Sequence, residues 1–137
     1  MSVFFDTNVL VYCTDSKEPV KQAQARRLVA QAGADGEAVI STQVLIELFN
    51  VLTRKQKMPA DTARTMALAY TEWQVVQSDT ALVSAAMDKA IQHKFSIWDA
   101  MVVEAAQRAQ AQTLYTEDLN DGQRFGNLTV VNPFRTR

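Results

Sequence analysis

Four acidic side chains could do chemistry here, and two of them, Asp6 and Glu47, stand where the surrounding sequence otherwise reads as buried. Asp6 interrupts the apolar run VFFDTNVLVY at positions 3–12. An ionised carboxylate in such a place is costly unless it is paired or coordinates a metal. Glu47 lies in VISTQVLIELFNVL (39–52), a segment expected to be a helix buried almost all round. It shares a three-then-four spacing with Asn50 and Arg54, which puts all three on one helical stripe. Asp99 follows Ser96 by three in FSIWDAMVVEAA (95–106). Asp118 lies in LYTEDLNDG (114–122), with Thr116, Glu117 and Asp121 around it.

The three later acids each have an ordinary structural explanation. Glu47 and Arg54 fit a solvent-facing stripe with an internal ion pair. Ser96 and Asp99 fit the S-x-x-D capping box. Glu117, Asp118 and Asp121 fit a solvated turn, since Asn120 to Gly122 are residues that tight turns favour. The order of the acids says more than each one alone. Asp6 ends a first strand, Glu47 follows a second, Asp99 opens a helix and Asp118 follows a late strand. In a parallel sheet the strand-following acids fall on one edge, the edge where α/β folds bind ligands. Crowded carboxylates raise one another's pKa unless a cation neutralises them. An oxygen-only donor set suits Mg²⁺ or Mn²⁺. Such ions polarise phosphate and generate hydroxide for phosphodiester hydrolysis. Thr7 and Asn8 are placed to hold the orientation of Asp6 by hydrogen bonds.

These acids need elements to position them. Strands are expected over 2–5, 37–41, 74–77, 113–115 and 128–131. Between them the pattern predicts a short helical turn at 8–13 and a helix from Pro19 to about Ala32, stopping near Gly33. Further helices are expected from a Thr42 cap to about Lys55, from Pro59 to about Glu72, at 80–93 and at 97–111. Strand–helix alternation indicates an α/β fold with a small, mainly parallel sheet. The chain of 137 residues, 47% hydrophobic and 21% charged, fits one domain spanning 1–137. Nothing in it marks a linker or repeat.

Composition narrows the partners. The formal net charge of −1 supplies no general attraction for nucleic acid, so contact would rest on local basic residues. Arg54, Lys55 and Lys57 cluster after the acidic helix, and Lys17, Lys21, Arg26 and Arg27 lie before and along the second. Arg54 stands out as a candidate contact because it shares the Glu47 stripe. Cys13, the one cysteine, is expected to pack in the core, and the single His93 offers no histidine metal site. With no charged leader and no apolar run of membrane-spanning length, a cytoplasmic protein is expected.

The succession FFDTNVLVY, VISTQVLIELFNVL, SIWDAMVVEAA and LYTEDLNDG resembles the PIN-domain family, and within it the VapC-type toxins of bacterial toxin–antitoxin pairs. The resemblance runs along essentially the whole chain. It implies an α/β/α sandwich and a Mg²⁺- or Mn²⁺-dependent endoribonuclease whose metal is held by Asp6, Glu47, Asp99 and Asp118. It places Ser96 and Thr116 in support, leaves Asp121 as a possible addition, and leaves the direction of Glu117 open. It further implies an RNA substrate, an antitoxin partner and a homodimer, for which apolar surface on 60–73 is a candidate. A noncatalytic PIN-fold RNA- or protein-binding module and a housekeeping RNA-processing nuclease are the alternatives. A dehalogenase-type phosphoryl-transfer domain fits less well, because the first strand ends in D-T-N rather than D-x-D. A receiver domain fits less well too, lacking an acid pair near that strand end and an evident lysine after a late strand.

Overall fold

The computed structural model describes residues 1–135. Its elements run β1 (Val3–Phe5), α1 (Thr7–Tyr12), α2 (Pro19–Ala34), β2 (Ala38–Ser41), α3 (Thr42–Arg54) and α4 (Ala60–Ala69). A 3₁₀ turn at Tyr70–Glu72 leads into β3 (Gln74–Val76), α5 (Thr80–His93) and α6 (Ile97–Arg108). The chain closes with β4 (Thr113–Tyr115), β5 (Arg124–Phe125) and β6 (Leu128–Val131).

The strands form one sheet in the order β3-β2-β1-β4-β6-β5. All neighbours are parallel except the β5–β6 pair. Helices cover both faces, giving the expected α/β/α sandwich. Strands buried on both faces read as apolar runs rather than alternating ones. Phe4 and Phe5 of β1, Val39 and Ile40 of β2 and Leu114 of β4 are accordingly all buried. Phe5 lies between the rings of Trp73 and Tyr115, with centroids 5.5 and 5.4 Å away. Because β1 is flanked by β2 and β4, Phe5 pairs with Tyr115, and the two chain segments leave the sheet side by side. That register brings Asp6 and Thr116 together.

Several local expectations shift. Gly33 does not end α2; the helix runs to Ala34, and Gly36 supplies the left-handed residue beyond it at φ +69°. Gly33 instead lets the helix approach the sheet side, since a Cβ there would sit 3.3 Å from the Trp73 indole nitrogen. The cap of α3 is Ser41, whose hydroxyl accepts from the Val44 N–H, while Thr42 bonds to Ser78. Helix α1 starts at Thr7, one residue earlier than expected, and α6 ends at Arg108, three earlier. Strand β5, only two residues long, has no counterpart among the expected strands.

Helix α3 is not buried all round. Val44, Leu48 and Leu52 face the core, but Ile46 is 70% and Phe49 39% exposed, and among the described residues no element covers that side. The 60–73 segment offers less apolar surface than expected, because Ala63 and Ala67 are buried and Tyr70 and Trp73 pack on the core. Leu68 is the large apolar side chain it leaves exposed. Cys13 is buried, and burial pushes its thiol up to about 11, so it is unreactive at neutral pH. His93 stacks on Phe95 and packs edge-on against Phe125. Among the described residues no helix is long and apolar enough to cross a membrane.

Candidate active site

Asp6 leaves β1 in extended conformation and serves as the N-cap of α1. One oxygen, Oδ1, accepts the Thr7 N–H at 2.7 Å. The other, Oδ2, accepts the Thr116 hydroxyl at 2.8 Å and the Asn8 amide at 3.4 Å. The side chain is held rigidly, yet these neutral donors do not offset its removal from water. Burial pushes the Asp6 carboxyl up to about 7; bonds from Thr116 and Thr7 work against this, and the charges of Asp118 and Glu47 add to it.

Asn8 joins the two strand ends. Its Nδ2 donates to Thr116 Oγ1 and Asp118 Oδ2, both at 3.1 Å, and its Oδ1 accepts the Glu117 N–H at 3.3 Å. Thr116, fully buried, gives its proton to Asp6 and accepts the Asp118 N–H at 3.1 Å. The T-x-D spacing thus fixes Asp118 through a hydroxyl already oriented by Asp6.

Glu47 enters from α3, where Gln43 one turn earlier donates to its Oε1 at 2.6 Å. The same Gln43 nitrogen donates to the Trp98 carbonyl at 3.2 Å and so ties α3 to the start of α6. Burial raises the Glu47 pKa, the Gln43 bond opposes this, and the charges of Asp99 and Asp118 add to it. At the start of α6, the Asp99 N–H donates to Ser96 Oγ at 3.1 Å, the forward half of the capping box. Its own carboxyl is raised by burial and by Asp118, with a Ser96 hydrogen bond opposing. The charge of Asp118 thus reaches Asp6, Glu47 and Asp99, that of Glu47 reaches Asp6, and that of Asp99 reaches Glu47.

The neighbouring acids are committed elsewhere. Glu117 accepts the Tyr12 hydroxyl at 2.6 Å and pairs with Lys21 at 3.1 Å. Asp121 accepts the Asn132 N–H at 2.8 Å and faces Arg135 at 3.7 Å, so it anchors the C-terminal segment. Arg54 is exposed, and among the described residues it forms no ion pair with Glu47. The internal pair of the ordinary solvent-facing reading does not form among the described residues, and Glu47 accepts from Gln43 instead. Gln43 is the site residue that sequence reasoning passed over, and Lys55, one of the basic cluster after the acidic helix, lines the site where Arg54 does not. The i, i+4 spacing of Gln43 and Glu47 was the available signal for the first.

Thr7, Asn8, Glu47, Asp118, Glu117 and Lys55 help line a groove of about 390 Å³. Its donors are carboxylate, hydroxyl and amide oxygens, the chemistry of a hard divalent cation. Thr7 Oγ1 is buried without a hydrogen-bond partner beside Asp6. Among the described residues no three acidic, histidine or cysteine side chains stand close enough together to hold a metal ion by themselves. The donor set fits such an ion in chemistry and charge.

Fold and site together define a class. The PIN domain family model matches residues 3–124, and the chain belongs to that family. Among solved structures it is similar to Mycobacterium tuberculosis VapC20, described as a sarcin-ricin loop cleaving toxin: 22% identity, TM-score 0.69, covering 85% of this chain and 92% of that one. A toxin–antitoxin complex from Klebsiella pneumoniae gives 17% identity and a TM-score of 0.70, covering 98% and 100% of the two chains. VapBC2 of Rickettsia felis, bound to a DNA fragment from its promoter, gives 18% and 0.67, covering 95% and 97%. No curated protein matches the sequence significantly.

Proposed function

We propose that this chain is a Mg²⁺- or Mn²⁺-dependent endoribonuclease of the VapC type, the toxin of a toxin–antitoxin pair. The observation that carries the reading is the buried Asp6 carboxyl, raised to about 7 and sharing its field with Glu47 and Asp118. Groups so perturbed at a strand-end rim are candidates for function rather than for stability. Asp6, Glu47, Asp99 and Asp118 would hold the ion, with Thr7, Asn8, Ser96, Thr116 and Gln43 orienting them. A bound divalent ion would supply charge neutralisation at phosphate and a water of lowered pKa. The protein's own part is orientation. Asp6 is fixed by three donors, and Asp118 follows it through Thr116 and Asn8.

The reading brings partners with it. The Klebsiella and Rickettsia structures are toxin–antitoxin assemblies, which supports an antitoxin for this chain. Exposed Ile46, Phe49 and Trp98 near Glu47 and Asp99 offer apolar surface of the kind a protein partner covers. A cytoplasmic homodimer acting on RNA completes the proposal. The test is cleavage of structured RNAs by purified, partner-free protein with Mn²⁺, with Mg²⁺ and with chelator. Metal-dependent cutting lost in Asp6→Asn is expected. Cleavage by neither metal, or equal cleavage by the variant, overturns the nuclease reading in favour of a noncatalytic module.

A further inference from the structure

The groove beside the acids does not stop at Lys55. A second hollow of about 640 Å³ shares Val11, Asp15, Val51 and Lys55 with it and adds Lys17 and Lys57. The structure sorts the basic residues near the acidic helix into two groups. Lys21 is bound to Glu117 and Tyr12, and Arg26 Nε donates to the Cys13 carbonyl at 2.7 Å. Among the described residues, the ammonium groups of Lys17, Lys55 and Lys57 have no acidic or hydrogen-bonding partner. Asp15 is the acid on the same wall, and its Oδ1 is occupied by the Lys17 backbone N–H at 3.1 Å.

Lys57 is held there at some conformational expense. It stands at φ +56° just past the end of α3, where glycine or asparagine is the usual solution. The next residue, Met58, returns its N–H to the Leu52 carbonyl at 3.0 Å and fixes that turn. Three lysines without an ionic partner among the described residues thus line one hollow on a chain whose net charge is −1, and that hollow shares four wall residues with the acidic groove. Like charges placed together repel, and an anion between them turns that repulsion into attraction.

We propose that this hollow is a backbone subsite for single-stranded RNA, in which Lys17, Lys55 and Lys57 hold phosphates flanking the bond presented to the acids. The proposal rests on the nuclease reading for its choice of ligand, and it is tested by binding rather than by cleavage. A fluorescein-labelled single-stranded RNA dodecamer is titrated with protein in chelator, from 50 to 200 mM salt, and followed by anisotropy. Wild type is compared with the K17Q/K55Q/K57Q variant and with R27Q/R64Q/R124Q, which removes as many charges away from the hollow.

Each phosphate contact on a single strand contributes about 0.7 to the slope of log K against log salt. The hollow variant should therefore lose about 2 from that slope. Over this salt range wild type should weaken about twentyfold more than the hollow variant does. The distant variant should keep a slope close to wild type. Equal loss in both variants overturns the subsite, because net charge alone would then explain the binding. So does a hollow variant that binds RNA as wild type but no longer binds a labelled glutamate decapeptide, which would assign the hollow to an acidic protein segment. Unchanged RNA binding by the hollow variant, with cleavage still lost in Asp6→Asn, sinks the subsite and leaves the nuclease reading standing. Lysine-dependent binding without cleavage does the reverse.

Discussion

Replacing Asp6 by Asn should stabilise the metal-free protein at alkaline pH. The Asp6 carboxyl ionises near 7 when folded, against an ordinary value of 3.8. Its folded pKa is raised, so the native state binds the proton more tightly than the unfolded chain does. Below about pH 4 both states are protonated and the group contributes nothing. Between about 4 and 7 the unfolded chain ionises first, and stability falls as pH rises. Above about 7 the full difference applies, about 4 kcal/mol against the folded state. The substituted asparagine would carry no charge and would keep its oxygen on the Thr7 N–H as the cap of α1. Its amide would turn a donor towards Thr116 and Asn8, at a cost of about 1–2 kcal/mol. The net gain at pH 8 is then about 2–3 kcal/mol. For a chain of this length that corresponds to a rise of roughly 7–10 °C in Tm. Thermal melts of both proteins in chelator from pH 5 to pH 8.5 check it. The gap should open with rising pH and close or reverse when Mn²⁺ is added. A variant that melts below wild type at pH 8 in chelator would show that the Asp6 carboxylate is a net structural asset, and the reasoning from buried charge would fail.

Other substitutions probe the supports around that carboxylate. Thr116→Val removes the hydroxyl given to Asp6 at 2.8 Å, so the Asp6 pKa should rise further and the acid limb of metal-dependent cleavage should move to higher pH. An unmoved limb argues against Thr116 as its orienting donor. Gln43→Leu should lower cleavage about tenfold by freeing Glu47, while Tm changes by only a few degrees. A large loss of Tm would recast Gln43 as a strut between α3 and α6. Gly36→Ala imposes φ +69° on a residue with a Cβ and should cost about 1 kcal/mol, read as a lower urea midpoint at unchanged m-value.

Asp6 drew attention because burial and charge conflict openly in the sequence around it, and the structure does bury it. A carboxylate directly after Phe4 and Phe5 stands out in an apolar run, and the alternation of elements led to the expectation that the other acids share its rim. What escaped was whatever depends on direction. Glu117 and Asp118 are adjacent in one turn, yet one pairs with Lys21 and the other faces Asn8. No property of the two residue types separates them. Gly33 and Gly36 are equally plausible helix stops, and only the approach of Trp73 shows that the first is needed for space. The count of apolar residues in α3 did not reveal that Ile46 and Phe49 lack a covering element. Strand β5 was invisible because two residues carry no periodicity.

The bond from Thr116 to Asp6 spans 110 positions of sequence, and β1 is completed in the sheet by β4 rather than by a near neighbour alone. A ribosome making this protein releases Asp6 long before Asp118. Until β4 follows, the first strand has β2 as a parallel partner but nothing on its other side. Contacts of such long sequence separation form late in folding as well. The growing polypeptide therefore holds an incomplete set of carboxylates until the segment after β4 has emerged. Any chemistry that needs the full set of acids therefore waits until Asp118 has been made and β4 has joined the sheet.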